Sequence, residues 1–515
     1  MAKSIDAAAC TAQAAFPHLL GHAASLGGKG LDKRPPSPDG ASTAAESATQ
    51  PEYIRTYRAV RRLSVACISV PEGGHLVPTA QVAKALARRG HRAHLVSIAG
   101  VAGKVAKGCA DAGCSFVGLA EGVGLADSGS CEAADLSDRG MMVTMFQYYS
   151  DEMKGPLRDF LAAERPDMVV ADFTTPCAWE VADELGIPVL LNVPGPLALF
   201  KDLSWTMMAT MYVRLRRAVG RSEAELTMAL FGKIDMLLKS RICLFHTFFG
   251  LEPAQRVPPN YIITGSTAPR SAGGSSETSD PAFNDWLAWV RAEGLKVVYV
   301  TMGSMQILLD FQVRALYEGL AEIPGCAVAW SLKSQQQAYL PNGGAGLPKK
   351  FHVQQWLPQG EALQLPEVAL VITHCGFGGM NEAIAAGKPI VATPFRADQP
   401  VNAGIVKERG VAEVLHTKTL SKESVRDAVS RVMADESYAR CAKELQASLG
   451  KTGGAEACVE AVERFAEQGC EELVAPPGAR PALAPRTPGR AARPLALGLA
   501  CLAVGLAAAR LASRR

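Results

Sequence analysis

The run His374-Cys375-Gly376-Phe377-Gly378-Gly379-Met380-Asn381-Glu382 follows an apolar stretch, Val368–Thr373. Glycines where a strand turns into a helix let the backbone approach a ligand closely. They also expose amides at the helix N-terminus, which favours a phosphate. Gly376, Gly378 and Gly379 fill those places, although a plain tight turn would use them as well. His374 offers a ring N–H to a diphosphate oxygen, or sits there as a structural histidine. Glu382, on the first helical turns, is within reach of a ribose whose phosphates lie at that N-terminus. Its plain alternative is a solvated helix carboxylate.

Other residues join by spacing. In Gln355-Trp356-Leu357-Pro358-Gln359 the tryptophan lies eighteen residues before His374. On a loop at a strand end its flat face suits a base. Pro394-Phe395-Arg396-Ala397-Asp398-Gln399 follows the next strand end, and Asp398 and Gln399 pair an acceptor with a donor, as sugar hydroxyls require. Gly303 and Ser304 follow the strand Lys296–Thr301 and add amide and hydroxyl donors for phosphates. In the first half, the strand Leu63–Val70 runs into Pro71-Glu72-Gly73-Gly74-His75-Leu76-Val77-Pro78. This lacks a G-x-G-x-x-G fingerprint, which disfavours a dinucleotide. His75 stands in the loop at that strand end and, taken alone, reads first as a structural histidine. Asp172 ends a later strand of the same sheet and has a helix N-cap as its plain alternative.

The elements that hold these residues alternate between strand and helix. Leu63–Val70, His94–Ile98, Met168–Ala171 and Val189–Val193 read as strands, with helices at Thr79–Arg89 and Glu180–Leu185. Lys296–Thr301, Ala327–Ser331, Val368–Thr373 and Pro389–Thr393 repeat the pattern, with a helix at Gln312–Glu322. The expectation is an α/β protein of two doubly wound, Rossmann-like domains facing across a cleft. The first domain covers 61–270, a linker 271–280, and the second domain 281–470. Residues 1–60, with Ala, Ser, Gly and Pro clusters, read as a disordered leader. Residues 471–493 form a Pro- and Arg-rich linker, and 494–512 read as a membrane anchor or equally as a loosely held amphiphilic tail. The net charge of +3 over 515 residues gives no argument for nucleic-acid binding. Thirteen cysteines are too sparse for a disulfide scaffold, and the nearest pair, Cys109 and Cys114, lacks zinc spacing. A reduced compartment follows as the simpler setting.

The forty-four residues from Trp356 to Gln399 resemble the signature box of the UDP-dependent glycosyltransferases, glycosyltransferase family one with the GT-B fold. That box opens with Trp and closes with Asp/Glu-Gln. It carries Gln at the fourth place, His-Cys-Gly or His-Gly-Gly at the nineteenth, and Glu at the twenty-seventh. Here those places hold Trp356, Gln359, His374-Cys375-Gly376, Glu382 and Asp398-Gln399, with no gap. The resemblance implies that Trp356 stacks on uracil and Glu382 holds the ribose. It also implies that Ser304 and His374 contact the diphosphate, and Asp398 and Gln399 the donor sugar. Phe377-Gly378-Gly379 departs from the Trp-Asn-Ser of plant members and is closer to animal and microbial ones, which leaves more phosphate binding to backbone amides. Members place their catalytic base in a Gly-His-x-x-Pro loop after the first strand, which matches His75, and Asp172 resembles the acid that holds it.

The implied reaction is an inverting transfer of a hexose, glucose first, from a UDP-sugar to a hydroxyl of a small acceptor. UDP-sugar acts as co-substrate, and no cofactor or metal is expected, since no Asp-x-Asp stands at a strand end. Met207–Leu230 would line an apolar acceptor pocket, or form ordinary helix core. Arg396 is unusual beside the sugar and could pair with a glucuronate carboxylate, though a solvent-facing arginine is the first reading. A UDP-glucuronosyltransferase and a non-catalytic UDP-sugar-binding protein are the alternatives. No Asn-x-Ser/Thr sequon occurs and no convincing signal segment opens the chain. The expected location is therefore cytoplasmic, with membrane contact through the C-terminal segment.

Overall fold

The computed structural model describes residues 61–121, 141–200, 232, 234–268, 276–304 and 306–469. The leader at 1–60, residues 271–275 of the linker, the Met207–Leu230 segment, the 471–493 linker and the 494–512 tail lie outside those residues. Among the described residues no helix is long and apolar enough to cross a membrane.

Two parallel sheets carry the structure. The first is built from β1 (Ser64–Ile68), β2 (Arg92–Ser97), β3 (Ser115–Gly118), β4 (Met168–Asp172), β5 (Val189–Val193), β6 (Ile242–Phe245) and β7 (Tyr261–Ile263), in the order β3-β2-β1-β4-β5-β6-β7. The second uses β8 (Lys296–Thr301), β9 (Cys326–Ser331), β10 (Phe351–Gln354), β11 (Val368–Thr373), β12 (Ile390–Ala392) and β13 (Ala412–Val414), in the order β10-β9-β8-β11-β12-β13. Helices α1 (Gly73–Arg88), α2 (Ala102–Asp111), α3 (Met141–Glu164) and α4 (Pro176–Glu184) cover the first sheet. Helices α5 (Pro281–Ala292), α6 (Asp310–Ala321), α7 (Phe377–Ala385), α8 (Gln399–Glu408), α9 (Lys422–Ala434) and α10 (Glu436–Gly450) accompany the second. The central strands read as unbroken apolar runs, Val65–Ile68 and Val297–Val300, because helices bury both faces of a parallel sheet.

This order places the functional strand ends. In each sheet the chain steps outward over three strands, then returns to the other side of the first. The reversal falls between β1 and β4 in one sheet and between β8 and β11 in the other. Ligands bind at such switch points, outside the carboxyl ends of the strands. Thr301 and Thr373 are register partners at the ends of β8 and β11, so the loops that follow leave the sheet at one level.

Two differences from the sequence expectations have physical causes. Helix α1 begins at Gly73 rather than near Thr79, so His75 lies in its first turn and not in a loop. Glycine weakens a helix but does not prevent one whose face, here Leu76, Ala80 and Ala83, is buried. The last described helix, α11 (Ala455–Gln468), follows the second half in sequence but packs on the first. Its Cys458, Val459, Val462 and Phe465 join one buried cluster with Val65, Leu76 and Leu86. Leu63 N donates to His91 Nδ1 at 3.2 Å, which leaves His91 Nε2–H to donate to Glu463 Oε1 at 3.0 Å. That pair ties α11 to the loop before β2.

Candidate active site

His75 projects from the first turn of α1, where its amide bonds Glu72 O at 2.9 Å. Thr79 Oγ1 donates to His75 O at 2.8 Å and in turn accepts from Asn192 Nδ2 of β5 at 3.1 Å, which fixes this turn over the sheet. The imidazole is 21% exposed, whereas Asp172, the last residue of β4, is fully buried. His75 Nδ1 lies 3.1 Å from Asp172 Oδ2. The other oxygen, Oδ1, accepts the Thr174 amide at 2.8 Å and the Thr174 hydroxyl. Both oxygens are thus engaged, and the N-cap of α4 is Thr175, not Asp172. With the Nδ1 proton donated to the carboxylate, Nε2 keeps its lone pair on the far side of the ring. Burial is the largest influence on His75 and pulls its pKa down. The charge and hydrogen bond of Asp172, then the charges of Asp398 and Glu72, outweigh it and leave the pKa above the ordinary histidine value.

Glu72 is a residue that sequence reasoning did not single out. It is buried, and Tyr149 of α3 donates its hydroxyl to Oε1 at 2.7 Å. Its signal was its place three residues before His75, at the junction that becomes the N-cap of α1.

On the second sheet, His374 leaves β11 and is followed by Cys375 at φ +62°, then by Gly376, the N-cap of α7. The imidazole stands in a slot between two glycines. A Cβ on Gly303, whose φ is +69°, would lie 2.6 Å from His374 Cε1, and one on Gly376 would lie 2.5 Å from Nε2. Burial, helped by the Arg396 charge, pushes His374 down to about 4, so the ring is neutral at pH 7. Phe377 N donates to Asp398 Oδ2 at 3.2 Å. Among the described residues no acceptor takes the Gly378 and Gly379 amides, which are the next donors at the α7 N-terminus.

Glu382 and Gln359 form one unit, with Gln359 Nε2 donating to Glu382 Oε2 at 2.6 Å. Burial raises the Glu382 pKa against that hydrogen bond. Glu382 is therefore no freely solvated carboxylate. Trp356 follows β10 and is 67% exposed, an unusual position for an indole. Asp398 caps the region where α8 starts: Oδ2 also accepts from Asn402 Nδ2 at 2.7 Å, and burial raises its pKa. Gln399 is buried, and its Oε1 accepts the amides of Phe395 at 2.9 Å and Arg396 at 3.1 Å, which leaves its NH2 group as the remaining donor. Arg396 is half-buried rather than solvent-facing. Asn402 was not foreseen; it also donates to Cys375 O at 3.0 Å and so ties the His374 loop to α8.

The two sets meet. A Cβ on Gly73 would lie 3.6 Å from Ser304 Oγ, so the start of α1 and the loop after β8 are close neighbours. Helices α1 and α7 also touch, and the Asp398 charge reaches His75. The structure thus brings His75, Asp172, Gly303, Ser304, His374, Gly376 and Asp398 to one cleft. Gln359 and Glu382 lie beside the start of α7 on the second sheet's side of it, and Trp356 stands exposed after the edge strand β10. The acceptor segment Met207–Leu230 lies outside the described residues.

Comparisons with known proteins bear on the family and the fold. The family described as "UDP-glucoronosyl and UDP-glucosyl transferase" matches residues 201–451. The chain is 30% identical to the UDP-glycosyltransferase CGT of Oryza sativa subsp. japonica over 260 residues, 44% of this chain and 54% of that protein. It is 26% identical to UDP-glucuronosyltransferase 2A2 of Homo sapiens over 316 residues, 54% of this chain and 56% of that protein. The match therefore spans about half the length of these curated relatives. The crystal structure of the glycotransferase of kitacinnamycin superposes with a TM-score of 0.58 at 22% identity, over 78% of this chain and 99% of that one, a likeness of fold. The signature box and residues 201–451 are similar to the UDP-dependent glycosyltransferases of family one, and the paired parallel sheets have the GT-B fold of the solved neighbours.

Proposed function

We propose that the protein is an inverting UDP-glycosyltransferase that moves a hexose, glucose, from a UDP-sugar to a hydroxyl of a small lipophilic acceptor. The observation that carries the reading is the His75 Nδ1 to Asp172 Oδ2 pair at 3.1 Å, set opposite Ser304 and within electrostatic reach of Asp398. His75 Nε2 takes the acceptor's hydroxyl proton while that oxygen attacks C1 of the sugar. The bond from C1 to the diphosphate oxygen breaks, and UDP leaves with its electron pair. Asp172 holds the ring in the required tautomer and stabilises the imidazolium that forms. The Gly378 and Gly379 amides, the neutral His374 ring and the Ser304 hydroxyl meet the charge that grows on the diphosphate. Glu382 with Gln359 would grip the ribose, Trp356 the uracil, and Asp398 with Gln399 the sugar. This assignment needs no divalent cation for the leaving group.

The test is UDP release from UDP-glucose with a panel of phenolic and aliphatic alcohols, by the wild type and by His75→Ala. A loss of about 10²–10⁴-fold in kcat is expected, unchanged by EDTA in the wild type. Equal turnover by His75→Ala would remove the base, and a chelator-sensitive rate would remove the metal-free step.

The alternative donor, UDP-glucuronate, turns on Arg396, which is half-buried and whose charge reaches His374. A guanidinium at the diphosphate end would serve either donor. Arg396→Ala is therefore expected to raise KM for UDP-glucose and UDP-glucuronate by a similar factor. A loss confined to UDP-glucuronate would move the donor assignment to the uronate.

A further inference from the structure

Cys109 and Cys114 are separated by four residues in sequence, and the fold closes that interval. Helix α2 ends with Ala112 as its C-cap, and Gly113 follows at φ +80°. The Gly113 amide bonds Ala110 O at 2.9 Å, and the Cys114 amide bonds Cys109 O at 2.9 Å. This pair of bonds is a Schellman stop, in which the residues at its two ends bring their side chains into contact. Here both of those residues are cysteines. They are 0% and 4% exposed, and both are free thiols.

A cation is placed beside them. The Lys84 ammonium of α1 lies against α2 where Gly108 leaves room, since a Cβ on Gly108 would stand 2.8 Å from Nζ. The hydrogen bond with Cys114 acts first on Cys109, burial opposes it, and Lys84 reinforces it. Together they bring the Cys109 thiol down to about 7. A thiol with that environment supplies nucleophilic thiolate near neutral pH.

The pair also sits where local opening is easy. Strand β3 is the edge of its sheet, and α2, which leads into it, carries Gly103 and Gly108 and has no side-chain N-cap. Each glycine inside a helix weakens it by about 1 kcal/mol relative to alanine. Ala110, Asp111 and Gly113 around the pair are exposed. Fraying of one helical turn uncovers both sulfurs without disturbing the sheet.

We propose that Cys109 and Cys114 are a reversible dithiol–disulfide site, oxidised by low-molecular-weight disulfides of the glutathione class. The Cys109 thiolate attacks one sulfur of the oxidant, forms a mixed disulfide and releases one thiolate. That thiolate takes the Cys114 proton. The Cys114 sulfur then attacks the Cys109 sulfur and expels the second thiolate, which takes from solvent the proton that Cys109 released when it ionised. Two protein thiols are oxidised and one oxidant disulfide is reduced to two thiols. The site is independent of the sugar-transfer reading, and its readout is covalent.

The test equilibrates the full chain, folded at neutral pH, with oxidised glutathione. Acid quenching, alkylation and peptide mass spectrometry follow. The expected product is a Cys109–Cys114 linkage that dithiothreitol reverses, with Cys243, which is buried and whose thiol donates to Leu238 O and Arg241 O, still free. Lys84→Ala, which leaves both sulfurs in place, is expected to slow formation several-fold at neutral pH, because the thiolate fraction falls. A linkage that forms only after urea unfolding, or a lasting glutathione adduct at Cys109 without the internal bond, overturns the proposal. An unchanged rate in Lys84→Ala overturns the part given to that lysine.

Discussion

Gly303 and the His374 ring share a space that admits no further atom: a Cβ on Gly303 would stand 2.6 Å from Cε1 and 2.8 Å from Nε2. The two residues leave adjacent strands, β8 and β11, at the same level, so the close approach follows from the parallel register. Gly303 also sits at φ +69°, a region that side chains other than glycine's rarely occupy. The slot fixes a neutral imidazole at the point where the diphosphate is assigned.

Gly303→Ala therefore combines backbone strain with a clash. A loss of about 1–3 kcal/mol in urea unfolding is expected, with a tenfold or greater rise in KM for the UDP-sugar. Gly303→Ala combined with His374→Ala should regain part of the stability and none of the donor affinity. A double variant as unstable as Gly303→Ala alone would mean that the ring is not what the new methyl meets.

The pH dependence of kcat/KM follows from His75. The base works when neutral, and its pKa lies above the ordinary value of about 6.5, so activity falls on the acid side with a midpoint above that value. Asp172→Asn removes the largest influence that raises the pKa. The midpoint should shift to lower pH while kcat drops by about 10²–10⁴-fold, as the tautomer is no longer held. Initial rates across the pH range check this. A midpoint that stays in place with reduced kcat would leave Asp172 a structural role alone.

Trp356 separates binding from stability. Its ring is 67% exposed, so Trp356→Ala should change unfolding free energy by no more than about 0.5 kcal/mol. Loss of base stacking should weaken UDP binding by about 1–3 kcal/mol, roughly fivefold to 150-fold in Kd by calorimetry. An unchanged Kd would move the uracil away from this loop.

Part of the second sheet was legible because β8 and β11 are short, mainly apolar and followed within three residues by a glycine, whereas β10 (Phe-His-Val-Gln) and β13 (Ala-Glu-Val) carry too little apolar pattern to be read. The strands Lys296–Thr301 and Val368–Thr373 read from sequence with the bounds they have in the structure. The spacing from Trp356 to Gln399 was legible for the same reason, since it is local along the chain. Pairings across sequence were not. That Gln359 binds Glu382, that Asn402 ties Cys375 O to Asp398, and that Tyr149 holds Glu72 depend on helix placement that no single run of residues encodes. The start of α1 was read late because two glycines and Pro78 are poor helix formers, and burial of Leu76 and Thr79 overrides them. The return of α11 to the first sheet was hidden for a related reason: its apolar face fits either half, and the choice rests on partners such as His91.

His246, just beyond β6, gives a stability prediction independent of catalysis. It is 1% exposed, and burial pushes its pKa down to about 4 against the pull of the Asp172 charge. The unfolded chain takes up this proton near pH 6.5 and the folded chain near 4, so the unfolded state binds more protons between those values. Stability from this group is complete above about 6.5 and is lost as pH falls toward 4, by about 3 kcal/mol. His246→Gln keeps a polar group near Thr267 but cannot titrate. It should be less stable than the wild type at pH 7, and the gap should narrow steadily as urea unfolding is repeated at lower pH. A gap that stays constant from pH 7 to 4 would show that His246 is protonated as readily in the folded chain as in the unfolded one.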